Sequence, residues 1–218
     1  MHDFKITKIG SSFHIEGFPD AVKVISIDGV HAKLLSDLWL HRHDMRFGKD
    51  CLETINKTPD SSKIAREALW RTAIILFFKC FGHSASRHKL LFKDVYGSDE
   101  KAKIVFSDMK SLRDKYLVHD DNAYSQSLPG AILNKGNKPF KVDEVACIAF
   151  LVESLNQENW NNLYTLVNKA LKYIEENLDH TCNIIKKGLE EKPYDELLRL
   201  KSITWTTPSP KDIGKTRK

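Results

Sequence analysis

Apolar and polar residues alternate along the first part of the chain, which is typical of β-strands with one buried face. Phe4 and Ile6 form one such run, Phe13 and Ile15 form a second, and residues 22–27 form a third. Glycines separate the runs and favour turns, at positions 10, 17 and 29. The pattern therefore predicts two or three short strands within residues 1–29.

The spacing of the apolar residues changes at about Val30 from two residues to three or four. Such spacing places apolar side chains on one face of an α-helix. The first helix is predicted to end at Pro59, because proline cannot continue the backbone hydrogen-bond ladder. A second, largely apolar helix follows and is predicted to end at Gly82, since glycine often terminates helices. Its composition predicts a central position in the core.

A third main helix is predicted to begin at Ser98 or Asp99, either of which caps a helix N-terminus well. Its apolar face recurs at intervals of four, three and four residues, at Val105, Met109, Leu112 and Tyr116. This helix is predicted to end near His119, because the residues that follow it favour turns over helix interiors. These residues are Asp120, Asp121 and Asn122.

Residues 123–140 are rich in proline and glycine and are predicted to form a loop or a small hairpin. Helical spacing resumes near Asp143, with apolar residues at Val145, Ile148, Leu151, Val152 and Leu155, and continues to Pro193. The predicted fold class is mainly α, a helical bundle of about five helices with a small N-terminal β region. The predicted divisions are a strand appendage (1–29), a helical domain (30–203) and a polar, basic tail (204–218).

The composition is that of a folded protein, with 41% hydrophobic and 29% charged residues among 218. No apolar run approaches the roughly 18 residues that a membrane-spanning helix needs, and no secretory signal is evident. A cytoplasmic location is therefore expected. The net charge of +5 permits contact with RNA without demonstrating it. The four cysteines are widely separated, which predicts reduced thiols.

Two groups of potential metal ligands are predicted to bind no metal. His41 and His43 would point about 200° apart on a helix, so they cannot readily share one ion. The helix face that carries them is expected to be solvated. Cys80, His83 and His88 lack an evident fourth ligand. We therefore predict no metal and no organic cofactor.

Residues 111–122 carry the most informative motif, in which Arg113 and Asp114 are followed by His119. This arrangement resembles the signature of the HEPN superfamily, which is an arginine, a polar residue, a few variable residues and a histidine. The run Arg-Asp-Lys-Tyr-Leu-Val-His-Asp also resembles HEPN-like proteins linked to bacterial abortive infection. The likeness in helix order covers roughly residues 30–193, so the helical domain is predicted to be HEPN-like.

The resemblance implies a metal-independent endoribonuclease, a toxin or phage-defence effector that cleaves RNA through attack by the 2′-hydroxyl. It also implies a homodimer whose two motifs share a cleft, with an antitoxin or regulatory protein as a further partner. Histidine exchanges protons near neutral pH, and the arginine fork matches two phosphate oxygens. Arg113 and His119 are therefore predicted to be catalytic, with Asp114 orienting one of them.

Four further residues are candidates for RNA binding: Lys115, Tyr116, Arg42 and Arg46. Lys115 lies within the motif and offers an additional phosphate contact. Tyr116 also belongs to the apolar stripe of its helix, which favours a core position. For Arg42 and Arg46 the alternative is a solvated helix face.

A purely structural role explains the same motif residues. His119 would then stabilise the C-terminus of its helix through the helix dipole, and Arg113 would pair with Asp114. In an ideal α-helix six residues span about 9 Å and about 120° of rotation. Arg113 and His119 would thus converge through an unwound last turn or across a dimer interface. The alternative function is a non-catalytic HEPN-like module for dimerisation or partner binding.

Overall fold

A computed structural model describes residues 6–9, 12–119, 121, 123–204 and 207–216. The six α-helices within these ranges span Val30–Ile55 (α1), Lys63–Phe81 (α2), Phe92–Tyr96 (α3), Glu100–Leu112 (α4), Gln157–Glu190 (α5) and Tyr194–Arg199 (α6). A π-helical turn, Arg113–Val118, follows α4 directly, and a 3-10 turn spans Pro210–Asp212. The mainly α fold class is thereby confirmed, with six helices in place of about five.

The strands form two separate antiparallel pairs. The strands are Ile6–Ile9 (β1), Ser12–Ile15 (β2), Ser125–Leu133 (β3) and Val142–Leu151 (β4). The predicted position of the β region is therefore corrected, because the long hairpin lies in the middle of the chain and only four-residue strands pair near its start. The third predicted N-terminal run contributes a single bridge, from Ile25 to Ser202. Phe4 and Gly10 lie outside the described residues.

The prediction of a helix from about Asp143 is wrong, because residues 142–151 form β4. Apolar residues three apart fit a helix, but this stretch also has the β-branched and aromatic side chains that suit strands. All ten residues of β4 are exposed, so no buried stripe stabilises a helix there. The helix begins later, where the side chain of Asn156 accepts a 2.8 Å hydrogen bond from the backbone N–H of Asn159.

The core lies between α1, α2 and α5, whose apolar stripes face one another. Its largest fully buried apolar side chains are Met45, Leu52, Ile55, Trp70, Ile74, Phe77, Leu163, Leu166, Ile174 and Leu178. The indole N–H of Trp70 donates a 3.0 Å hydrogen bond to the Ser154 hydroxyl, and both residues are buried. This bond links α2 to the segment that enters α5. Every helix among the described residues is too short or too polar to cross a lipid bilayer.

An aromatic cluster positions α4 against α2 and α3. The ring of Phe106 on α4 lies 5.1 Å from Phe78 and 5.0 Å from Phe81, measured between ring centroids. On the other side it lies 5.1 Å from Phe92 of α3. Edge-to-face contacts at such distances add to the stabilisation from burial. They bring the C-terminal end of α4, where the Arg113 motif begins, alongside α2.

The α1 face around His41 is buried, which corrects the expectation of a solvated face. His41 and Asp44 are 1% and 6% exposed. The His41 Nε2–H donates a 2.7 Å hydrogen bond to the His88 carbonyl. Burial lowers the pKa of His41, although the bond to His88 acts in the opposite direction. Asp44 accepts hydrogen bonds from Lys79 and Arg87, so this face holds the loop after α2 in place.

Candidate functional site

The motif occupies a π-helical turn that continues α4. The α-helical pattern ends at Leu112, and Arg113–Val118 follow with π-helical winding. His119 then has extended backbone angles, φ −131° and ψ 120°. π-helical turns are rare and recur at functional sites. Because of this wider winding, the spacing of an ideal α-helix does not describe the separation of Arg113 and His119.

The Arg113 side chain is held on the surface of α2. Its guanidinium carbon lies 5.4 Å from the centre of the Phe78 ring, a cation–π arrangement. Its Nη2 lies 2.5 Å from Oδ1 of Asp114, and the side chain remains 30% exposed. The Nε atom is buried, and no acceptor for it exists among the described residues. One edge of the guanidinium is therefore paired, while part of the group still faces solvent.

His119 stands at the other end of the turn. Its side chain is exposed and has no hydrogen-bond or ion-pair partner within the described part of the chain. The backbone N–H of Asp121 donates to the carbonyls of Lys115 and His119, at 2.8 and 2.5 Å. These two backbone bonds end the turn just after His119. The predicted turn residues Asp120 and Asn122 lie outside the described residues.

Asp114 and Lys115 differ in their surroundings. Asp114 pairs with Arg113 and also lies 3.6 Å from the Nζ of Lys110, one turn earlier. Lys115 is exposed. Asp114 therefore lies between two cations, and the structure does not join it to His119.

Tyr116 is buried, as its place in the apolar stripe suggested. Its hydroxyl donates a 2.9 Å hydrogen bond to the Val152 carbonyl. The guanidinium carbon of Arg71 lies 5.6 Å from the centre of its ring. Arg71 and Phe78 were not singled out from the sequence, because each lies far from the motif along the chain and only the packing of α2 reveals them. Val152 was expected only as an apolar position of a helix.

Tyr116 also lines a groove of about 650 Å³ between α2 and the residues after β4. Its basic side chains are each matched by an acid. Arg66 lies 3.2 Å from Asp60, Lys63 lies 3.5 Å from Glu153, and Arg71 lies 2.6 Å from Glu67. The groove therefore carries little net positive charge toward a phosphate backbone.

Arg42 and Arg46 lie on α1 and face α5, not the π turn. The Arg42 side chain is 6% exposed, and its Nε lies 3.5 Å from Glu175. Its guanidinium also covers the ring of Trp39 at 5.0 Å. Arg46 is more exposed but pairs with the same Glu175 at 3.0 Å. The structure does not bring either arginine together with Arg113.

Within the described ranges, no cluster of three or more His, Cys, Asp or Glu side chains is arranged to hold a metal ion. Comparison of the chain with protein-family models, with curated proteins and with solved structures gives no match.

Proposed function

We propose that the chain is a metal-independent endoribonuclease whose reacting groups are Arg113 and His119. The observation that carries the proposal is the π-helical turn bounded by these two residues, with a solvent-facing part of the guanidinium at one end and an exposed imidazole at the other. The HEPN resemblance of the same residues supplies the reaction class.

The reaction needs two proton transfers and one site for negative charge. The 2′-hydroxyl loses its proton and attacks the adjacent phosphorus, and the bond from phosphorus to the 5′ oxygen breaks. The products are a 2′,3′-cyclic phosphate and a 5′-hydroxyl. His119 takes a proton when neutral and gives one when charged. Arg113 stabilises the charge that develops on the phosphate oxygens.

The surroundings of Arg113 suit this role. Phe78 supports the guanidinium from one side, and Asp114 orients it. A group held in this way loses little conformational entropy when it binds a phosphate. Lys115 is exposed two residues further along the same turn and adds positive charge. Arg42 is omitted from the proposed RNA contacts, because it is buried and paired with Glu175.

The test is cleavage of RNA in the presence of EDTA, which removes contributions from metal-dependent contaminants. The wild-type chain should cut RNA and leave 5′ ends that accept a radioactive phosphate from polynucleotide kinase without prior phosphatase treatment. A substrate with 2′-deoxyribose at every position should remain intact, because it lacks the nucleophile.

Four variants make the test specific. Arg113→Ala and His119→Ala should each lower the cleavage rate by roughly 100-fold or more, as expected for a lost proton-transfer or charge-stabilising group. Arg199→Ala and His180→Ala remove the same residue types at exposed positions elsewhere and should leave the rate unchanged. Equal cleavage by all five proteins, or none by a folded wild-type chain, would refute the proposal.

The second candidate function is a non-catalytic module for dimerisation or partner binding. The observation that favours it is the β3–β4 hairpin, which exposes apolar side chains on both faces. This function and RNA cleavage are compatible in one molecule, because the hairpin and the π turn are different parts of it.

A further inference from the structure

The β3–β4 hairpin (residues 125–151) projects from the helical body with almost nothing covering it. Every residue of both strands except Ser125 is exposed. A hairpin of two strands is at best marginally stable in water, and three or more strands or a covering element are normally needed. The exposure therefore indicates that a neighbour belongs against this hairpin.

Both faces of the hairpin are apolar. Directly paired residues share a face, so the register places Leu128, Ile148 and Phe150 on one face. Val145 and Leu151 lie on the opposite face. These five side chains are between 50% and 73% exposed. Strands that are apolar on both faces usually lie inside a larger sheet or between layers.

The two edges of the hairpin are not equivalent. The Val152 N–H donates to the Tyr124 carbonyl at 2.9 Å, which places these two residues at a hydrogen-bonded position of the ladder. Hydrogen-bonded and non-hydrogen-bonded pairs alternate along an antiparallel ladder. By this alternation Pro129 and Cys147 form a non-hydrogen-bonded pair, and both backbone nitrogens point away from the hairpin.

Proline has no N–H, so the outer edge of β3 lacks a donor at its centre. The outer edge of β4 has no such gap. The same alternation directs the N–H and C=O groups of Val145, Cys147, Ala149 and Leu151 outward. Nothing in the described part of the chain forms a backbone hydrogen bond with them on that side. β4 therefore presents the edge that can accept another strand.

We propose that β4 pairs antiparallel with β4 of a second copy of this chain. The two hairpins then form one four-stranded sheet in the order β3–β4–β4–β3 about a two-fold axis. Antiparallel self-pairing suits this strand, because one surface serves both copies and small or apolar residues face each other across the axis. β4 carries Asp143 and Glu144 only near its start, so its central residues bring no like charges together.

The exposed apolar area of the hairpin also favours a second copy of the chain as the partner. The hairpin and its flanks leave ten large apolar side chains about half exposed, which is on the order of 1,000 Å² of surface. The ten are Leu128, Ile132, Leu133, Phe140, Val142, Val145, Ile148, Phe150, Leu151 and Val152. When two hairpins join edge to edge, the apolar side chains of the two β4 strands lie next to each other on each face of the sheet, so the pairing buries part of this surface.

Two matched variants, each with one proline on a different outer edge of the hairpin, test the proposal. Ala149→Pro removes an outward-facing N–H from β4 and leaves the ladder to β3 in place. Ala131→Pro makes the same change on the outer edge of β3, next to the existing Pro129. Analytical ultracentrifugation should show a dimer for the wild type and Ala131→Pro, and at least roughly tenfold weaker dimerisation for Ala149→Pro. Circular dichroism should show equal helix content in all three.

Cysteine cross-linking reports the geometry directly. Cys147 is exposed and lies at the middle of β4, so the two copies should place it opposite its mate or one diagonal step away, about 5–8 Å apart. In a Cys182→Ser background, a short bis-maleimide should join two chains that retain Cys147 covalently. Cys51 and Cys80 are buried, so Cys147→Ser should abolish the product.

Three results would overturn the proposal. A wild-type chain that remains monomeric would leave an extended peptide of another protein as the occupant of the edge. A dimer that survives Ala149→Pro unchanged would assign dimerisation to the helices. A dimer without the Cys147 cross-link would do the same. None of these measurements involves RNA cleavage, and Arg113→Ala should dimerise as the wild type does.

Discussion

The hydroxyl of Tyr116 donates a hydrogen bond to the carbonyl of Val152, and this 2.9 Å bond joins the π turn to the first residue after β4. The candidate reactive residues and the exposed hairpin are thus attached to each other at a partly buried contact. A shift of Val152, where the chain leaves the hairpin, would therefore move Tyr116 and the π turn between Arg113 and His119.

Tyr116→Phe should lower the free energy of unfolding by about 1 kcal/mol, because the Val152 carbonyl loses its side-chain donor while the packing is kept. Urea denaturation of the purified variant measures the loss. Tyr194→Phe is the matched control, since Tyr194 is 63% exposed. Its effect should stay within about 0.5 kcal/mol. Equal losses in the two variants would mean that the Tyr116 bond contributes nothing specific.

Asp114→Asn should strengthen RNA binding by roughly two- to fivefold, because the carboxylate that pairs with Arg113 also repels phosphate. Fluorescence anisotropy with a short 2′-O-methylated RNA, which cannot be cut, gives the dissociation constant. Asp108→Asn changes the net charge by the same amount at an exposed position on α4. If both variants strengthen binding equally, the effect belongs to the overall charge and not to Arg113.

Asp44→Asn should destabilise the fold by about 3 kcal/mol near neutral pH, because Arg87 would lose the carboxylate that neutralises it in a buried position. Burial by itself raises the pKa of Asp44, but the hydrogen bonds from Arg87 and Lys79 outweigh it and hold the pKa below its ordinary value.

The sign of the pH effect follows from this lowered pKa. A carboxyl group with a lowered pKa in the folded state contributes its full stability above about pH 4, and that stability is lost as the pH falls through the folded-state pKa. The difference in unfolding free energy between the wild type and Asp44→Asn should therefore shrink below about pH 4. Urea denaturation across this range measures it, and a constant difference would contradict the assignment.

Ser154→Ala should cost 1–3 kcal/mol, because the buried indole N–H of Trp70 would lose its acceptor. Thermal or urea denaturation detects a loss of this size. Ser107→Ala removes a hydroxyl from an exposed position on α4 and should change stability by less than about 0.5 kcal/mol. A Ser154→Ala protein as stable as the Ser107→Ala protein would show that another acceptor replaces the hydroxyl.

Much of the helical framework could be predicted from local signals. The change of apolar period at Val30 marks the start of α1, and Gly82 follows the last residue of α2. Asp99 caps α4, with its carboxylate accepting a 2.9 Å hydrogen bond from the backbone of Ala102. These features depend on residues close in sequence, which is why spacing and capping preferences suffice to find them.

A loop or small hairpin was predicted for residues 123–140, but its second strand, β4, could not be predicted in the same way. Apolar residues at positions 145, 148 and 151 fit a helix and a strand equally well. The pairing of β4 with β3 makes this segment a strand and not a helix. Such backbone pairing cannot be recognised from the spacing of side chains. Apolar residues usually mark a buried face, whereas both faces of this hairpin are exposed.

The candidate site could be predicted in part. The motif identified Arg113, Asp114 and His119 as a set, and the exposure of His119 and the Arg113–Asp114 pair are now visible. The π winding was not predictable, since it arises where α4 meets α2 and the hairpin base. The buried positions of Arg42 and His41 were missed because charged and imidazole side chains usually favour solvent, and their partners Glu175 and His88 lie far along the chain.

Pro129 affects how readily this chain can aggregate at high concentration. A strand pair with two open edges can recruit copies on both sides and grow into fibrils. The missing N–H on β3 weakens the addition of a strand on that side. Growth of the sheet in that direction is therefore disfavoured, and one residue lowers the aggregation tendency of an otherwise aggregation-prone segment.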